Sequence, residues 1–224
     1  MQTQTIALDV YGTLINPHAV IELLKDCVGD HAEAFSQLWR TKQLEFSFRR
    51  GLMRDYVDFS RVTAEALDYV ALALNAPLSS TETSSLLNAY TELNPYPEVT
   101  DALRELREAD VRLFAFTNGH PEAVAQLLRH AEITELLDDV VSVHDVESFK
   151  PDPLVYDHFL QTTGALMDET WLVSSNSFDI AGAAARGWNT AWIKRDPATV
   201  FDGWENQSNV TLSSMSQLLE KIRF

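Results

Sequence analysis

Asp9 ends a short apolar run, Thr5 to Val10, and is followed by Tyr11-Gly12-Thr13, a turn signal. An aspartate there could simply cap the turn. It could also be a covalent nucleophile if a cation kept it charged, because the attacking oxygen must be ionised. Three further β-rich runs end in small polar or ionisable residues. Thr117-Asn118-Gly119 follows one, Lys150-Pro151 comes shortly after another, and Ser174-Ser175-Asn176 with Asp179 follows a third. Gathered on one rim, these supply a nucleophile, a cation beside it, and hydroxyl and amide donors. Thr117 and Asn118 precede a helix predicted to start near Pro121, and hydroxyl, amide and backbone N–H groups at such a place can hold a carboxylate.

Elements must bring these residues together. From about Ala19 to Tyr90 the pattern is helical, with no strand. Val20, Leu23, Leu24 and Cys27 share one face. Leu38, Leu44 and Phe48 mark a second helix, and Val62, Ala66, Leu67, Val70 and Leu74 a third. Asn94-Pro95-Tyr96-Pro97 breaks the chain. Beyond it, helices alternate with the strands Arg112 to Phe116, Asp139 to Val143, Thr170 to Val173 and Thr190 to Ile193. Such alternation implies right-handed crossovers and a mostly parallel, doubly wound α/β sheet. The expected core is 1–15 plus 98–224, and a helical insertion, 16–97, leaves just after the first strand. Ligands of open α/β sheets bind beyond the carboxyl ends of the strands, where all four polar groups fall.

Charge and composition narrow the partners. Lys and Arg total 17 against 33 Asp and Glu, a net charge of -16. No basic cluster offsets this, so nucleic acid and anionic membranes are not expected partners. A single cysteine, Cys27, excludes an internal disulfide and a Cys-based zinc cluster, and reads as a small core residue. Met1 to Leu14 lacks a basic leader region, and no run approaches the roughly 18 apolar residues of a membrane span. The expectation is a soluble, cytoplasmic protein. His18, His120 and His144 lack metal or triad spacing and read as turn residues.

The four strand-end motifs, in this order and spacing, resemble those of the haloacid dehalogenase superfamily. Asp9-Val10-Tyr11-Gly12-Thr13-Leu14 is similar to its first motif and Phe116-Thr117-Asn118-Gly119 to its second. Phe149-Lys150-Pro151-Asp152-Pro153 is similar to the third and Ser174-Ser175-Asn176-Ser177-Phe178-Asp179 to the fourth. The resemblance covers essentially the whole chain and implies a Rossmann-like core with a helical cap. Most of that superfamily are magnesium-dependent phosphatases with a second aspartate two residues after the nucleophile, as general acid. Here that position is Tyr11, and the fourth motif has one acid, Asp179, where phosphatases commonly carry two. Both features resemble the L-2-haloacid dehalogenase branch, as does Leu38-Trp39-Arg40 followed by Lys42-Gln43-Leu44-Glu45. A phosphatase of the same fold, or a catalytically weak binding relative, is the alternative.

The resemblance implies a 2-haloacid substrate, halide as product, no metal, no cofactor and a possible homodimer. Asp9 would displace halide at C2 with inversion. Water would then attack the ester carbonyl, oriented by Asn176 and Asp179, turning an L-2-haloacid into a D-2-hydroxy acid. Lys150 would offset the charge of Asp9, Thr13 and Ser174 would hydrogen-bond Asp9 or Lys150, and Tyr156 would reach Lys150 or Asp179. A halide needs an electropositive pocket rather than a general acid, which Arg40 would supply from the cap, held rigid by Leu38, Leu44 and Phe48. Thr117 and Asn118 would bind the carboxylate, while Tyr11, Thr41, Leu44, Phe59 and Phe178 would line the pocket. Thr117, Thr41, Ser177 and Phe178 stand where serine, glutamine, alanine and tryptophan are usual, which bears on substrate size and halide preference more than on reaction type.

Overall fold

The apolar run at the amino end becomes β1 (Thr5–Asp9), every residue of which is buried. A strand covered on both faces has no polar alternation to display, which is why Thr5 to Leu8 reads as a continuous run. The computed structural model describes residues 4–222; residues 1–3 and 223–224 of the expected core lie outside them. β1 is joined by β2 (Arg112–Thr117), β3 (Asp139–Ser142), β4 (Thr170–Ser174), β5 (Asn189–Ile193) and β6 (Val210–Leu212). They form a six-stranded sheet in the order β3-β2-β1-β4-β5-β6. Each neighbouring pair is parallel. The chain builds outward from β1 on one side, then returns to build on the other, so the switch point lies between β1 and β4.

Between β1 and β2 come α1 (Ile21–Val28), α2 (Ala32–Met53), α3 (Phe59–Ala73), α4 (Ser80–Ala89) and α5 (Val99–Glu108). The later strands are connected through α6 (Pro121–His130), α7 (Pro153–Thr163) and α8 (Ser177–Ala185), and the chain closes with α9 (Leu218–Lys221). Pro121 and Pro153 stand at the first turns of their helices, where the missing N–H costs nothing. The helical segment leaves and returns through a narrow neck. Ile15 bridges Pro95, the Tyr96 N–H donates to the Leu14 carbonyl at 3.0 Å, and that of Asn16 to Asn94 at 3.1 Å.

Three details differ from the sequence reading. The buried stripe of α2 is Ala32, Phe35, Ser36, Trp39, Gln43 and Ser47, while Leu38, Leu44 and Phe48 are half-buried. The stripe keeps a four-residue period, but half of it is polar, and hydropathy therefore points to the wrong face. Trp39 Nε1 donates to the Thr63 carbonyl at 2.9 Å and Gln43 Nε2 to Thr63 Oγ1 at 2.6 Å. Ser36 Oγ pairs with His18 Nδ1 at 2.8 Å and Ser47 Oγ donates to the Leu44 carbonyl at 2.8 Å, so every buried polar side chain of the stripe has a partner. Leu74 lies just past the end of α3 and is partly exposed. β6 is an unforeseen edge strand, three residues long and too short to carry a period. Cys27 is half-buried against the core. No helix among the described residues is long and apolar enough to cross a membrane.

Candidate active site

β1 delivers Asp9 to the switch point, level with Phe116 of β2. Its side chain is buried apart from a small opening, the residue being 7% exposed. The two carboxylate oxygens have different surroundings. Oδ2 accepts from Thr13 Oγ1 at 2.8 Å, Ser174 Oγ at 3.0 Å and Asn176 Nδ2 at 2.7 Å. Oδ1 accepts from Lys150 Nζ at 3.2 Å. The turn that carries Thr13 depends on Gly12, whose φ of 96° is a left-handed value; a Cβ there would lie 3.4 Å from Asn176 Nδ2.

Lys150 is 1% exposed and uses its ammonium on three acceptors. Besides Asp9, it donates to the Phe116 carbonyl and to Asp179 Oδ2, both at 2.8 Å. Asp179 lies in α8 and is wholly buried. Its Oδ1 accepts from Tyr156 Oη at 2.8 Å, so both oxygens are engaged with side chains. Burial pushes the Asp179 carboxyl up to about 6, with the charge of Asp9 adding to the rise, while Lys150 and Tyr156 oppose it. Tyr156 itself is pushed well above the ordinary phenol range, chiefly by burial. It fits because residue 182 of α8 is glycine: a Cβ there would stand 2.3 Å from Tyr156 Oη.

From the helical insertion, Arg40 of α2 reaches across to the Tyr11 carbonyl at 3.1 Å, while Gln43 Oε1 accepts from its other arm at 2.7 Å. Burial lowers its pKa somewhat, and the charge of Asp9 partly restores it. Gln43 and Trp39, rather than Leu38, Leu44 and Phe48, tie this turn of α2 to α3. Thr117 Oγ1 accepts from the Gly119 N–H at 3.0 Å and keeps its own proton to donate. Asn118 Oδ1 accepts from the Lys150 N–H at 2.9 Å, which leaves its NH2 group to donate.

The apolar residues fall less evenly. The Tyr11 and Phe59 rings are 6.1 Å apart, and Phe178 meets Phe48 of α2 edge-on at 5.0 Å. Leu44 is half-buried. Thr41 is exposed and its hydroxyl donates to the Gln37 carbonyl one turn back, so it offers the pocket no polar proton. Ser177 hydrogen-bonds Asp202 instead. A cavity of about 270 Å³ adjoins the Tyr11 wall, lined by Tyr11, Phe59, Thr63, Tyr90, Gly119 and His120 among others. Asp9 and Lys150 lie outside it.

Sequence reasoning missed two features of the rim. Lys150 is the cation that the sequence reading places on the core rim, and Arg195, two residues past β5, is another. A cation following a strand end was the available signal. His120 and His144 do not sit in turns: His120 caps α6 and His144 lies in a short 3-10 helix, Val143–Val146. Their rings meet at 4.4 Å, and Tyr56 Oη lies 3.0 Å from His144 Nδ1.

The residues present do not fit a magnesium ion. Lys150 Nζ sits between the Asp9 and Asp179 carboxylates that a divalent cation would need, and Asn176 Nδ2 spans Asp9 Oδ2 and the Tyr11 carbonyl at 3.0 Å. Among the described residues no group of three or more His, Cys, Asp or Glu could hold a metal.

A helical insertion set against the carboxyl rim of a parallel sheet, with an aspartate ending the central strand, defines a class of hydrolase. The chain belongs to it: the model of the haloacid dehalogenase-like hydrolase family matches residues 3–187. Within that family the chain is 37% identical over 217 residues to (S)-2-haloacid dehalogenase 1 of Pseudomonas sp. (strain CBS-3), covering 96% of this chain and 95% of that one. The crystal structure of a dehalogenase superposes with a TM-score of 0.95 at 31% identity, covering 100% of this chain and 98% of the other. L-2-haloacid dehalogenase from Xanthobacter autotrophicus, with chloropropionic acid covalently bound, superposes with a TM-score of 0.87 at 28% identity, covering 99% and 100%.

Proposed function

We propose that this chain hydrolyses short L-2-haloalkanoic acids to D-2-hydroxy acids and halide through an ester on Asp9, with residues 16–97 as cap and 1–15 plus 98–224 as core. The observation that carries this reading is the asymmetry of Asp9. Three donors engage Oδ2, while Oδ1 meets only Lys150 and is the oxygen free to attack. Attack by Oδ1 forms a C–O bond at C2 as the C–halogen pair leaves on halide, inverting that carbon. Water then adds to the ester carbonyl, whose oxygen is Oδ2. The negative charge that develops there falls on Thr13, Ser174 and Asn176, which form an oxyanion hole. Breaking the Cγ–Oδ1 bond releases the hydroxy acid without touching C2 and restores the carboxylate. One water is consumed in this second step: one of its protons goes to the departing Oδ1, which becomes the product hydroxyl, and the other is released to solvent, the halide having left in the first step.

The other residues divide the remaining work. Thr117 and Asn118 hold the substrate carboxylate with the protons they have free. Arg40 stands opposite Lys150 and receives the halide as it departs in line. Lys150 offsets the charge of Asp9 through its bond to Oδ1, and Asp179, with Tyr156 behind it, holds Lys150; through that chain Asp179 acts on the attacking water's target. Asn176 aligns the ester for the water. Tyr11, Leu44, Phe59 and Phe178 form the apolar wall, with Thr41 at its exposed end. A cytoplasmic setting is in keeping with a single, unpaired cysteine. A homodimer is what the resemblance to the family implies.

The test is halide release from L- and D-2-chloropropionate, with p-nitrophenyl phosphate as the counter-substrate and EDTA present or absent. Halide release from the L isomer, unaffected by EDTA and abolished by Asp9→Asn in protein shown not to have deamidated, is the expected result. EDTA-sensitive phosphate release would replace this reading with a phosphatase.

A further inference from the structure

Arg195 is half-buried at the rim, and all five of its N–H groups are engaged. Nε and Nη2 donate to Glu98 Oε1 at 3.0 and 2.7 Å. Nη1 donates to the Gly12 carbonyl at 3.2 Å and to Ser175 Oγ at 2.6 Å, and Nη2 to the Thr13 carbonyl at 2.9 Å. The guanidinium also lies over the Tyr96 ring, its carbon 3.8 Å from the centroid. A rigid planar fork with five donors suits such a junction, and a lysine could not replace it.

We propose that Arg195 is a positioning residue for hydrolysis of the covalent ester. This rests on the reaction proposed above. The three donors to Asp9 Oδ2 come from two separate segments: Thr13 from the turn after β1, and Ser174 and Asn176 from the loop after β4. Arg195 grips both, through the carbonyls of Gly12 and Thr13 and the hydroxyl of Ser175, which lies between the other two donors. It touches none of the reacting atoms. Through Tyr96 and Glu98 it fastens the same junction to the returning strand of the neck. The two chemical steps depend on these donors in opposite ways. In the first, Oδ2 passes from carboxylate to ester carbonyl and loses charge, so loosening its donors does not slow attack. In the second, Oδ2 gains charge, so the same loosening raises the barrier. Arg195 therefore serves the second step selectively.

Arg195→Lys keeps the charge but loses the fork, and Ser175→Ala removes one contact while leaving Arg195 in place. Each variant is mixed with L-2-chloropropionate, quenched in acid, and analysed by intact-protein mass spectrometry beside steady-state halide release. We expect turnover to fall about tenfold or more in Arg195→Lys, and less in Ser175→Ala. In both, the fraction of protein carrying the ester should exceed that of wild type, and KM should fall with kcat so that kcat/KM is unchanged. Ser175→Ala decides the matter if Arg195→Lys does not fold. If the folded variants lose turnover without accumulating ester, or turn over as wild type does, the inference is wrong. If wild type itself releases no halide and forms no ester, it is instead the proposed reaction that fails.

Discussion

At the scale of single residues, the site is organised by who holds whom. Arg40 is tied to Gln43 and to the Tyr11 carbonyl, so its charge is preorganised before substrate arrives. Arg40→Ala should lower halide release by about 10² or more at unchanged thermal stability, with Arg40→Lys recovering only part, since a point charge cannot reproduce the fork. Normal release by the alanine variant would remove Arg40 from the mechanism. Asp179 supplies a pH signature. With its pKa raised to about 6, it takes up a proton as pH falls through that region, Lys150 loses an anionic partner, and kcat/KM declines on the acid side. The Tyr156 hydroxyl favours the ionised form, so in Tyr156→Phe the Asp179 pKa rises and the acid limb moves to higher pH. A limb that stays put or moves down would mean that Asp179 does not govern it. Asp9, Lys150 and Asp179 were legible in the sequence because each sits in one of four motifs near strand ends whose order and spacing are mutually consistent. Arg195 also follows a strand end, but Lys194-Arg195-Asp196-Pro197 matches none of those motifs, and its partners come from residues 12, 13, 96, 98 and 175, which no local pattern connects.

At the scale of elements, the strands and helices of the core were legible because apolar runs and turn residues alternate without interruption. The buried face of α2 was not, because its stripe is half polar and two of its polar groups, on Trp39 and Gln43, are satisfied by Thr63, on another helix. Gly182 was equally silent, since a glycine among alanines looks like a small helix residue and nothing more. In the structure it sets how closely α8 approaches Tyr156 of α7. Gly182→Ala improves helix propensity by about 1 kcal/mol, yet its Cβ must push Tyr156 away from Asp179. We expect turnover to fall about tenfold and the acid limb to move up, as in Tyr156→Phe. Wild-type activity in this variant would show that α7 and α8 can separate without cost to the site.

At the scale of the whole molecule, the net charge of -16 works against an anionic substrate. Raising ionic strength with a salt that contains neither halide nor carboxylate screens that field over about 10 Å at 0.1 M, so KM should fall while kcat holds. A KM that rises with salt would show that the local field of Arg40 and Lys150, rather than the acidic surface, governs approach. The acidic balance was legible from composition alone, whereas the way the cap is fastened to the core was not. The Tyr56–His144 bond, the Phe48–Phe178 contact and the Arg40–Tyr11 bond each join residues far apart in the chain.

The neck at Ile15 and Pro95 has a consequence for how such a chain can diversify. Because the outgoing and returning strands are already bridged to one another, the sheet receives the inserted segment as a cassette with its two ends side by side. A different cassette, spliced at the same pair, would leave the strand order and the nucleophile in place while replacing the wall that carries Arg40, Leu44 and Phe59. The wall that receives the halide is thus written in the inserted segment, while Thr117 and Asn118, which hold the substrate carboxylate, stay with the sheet.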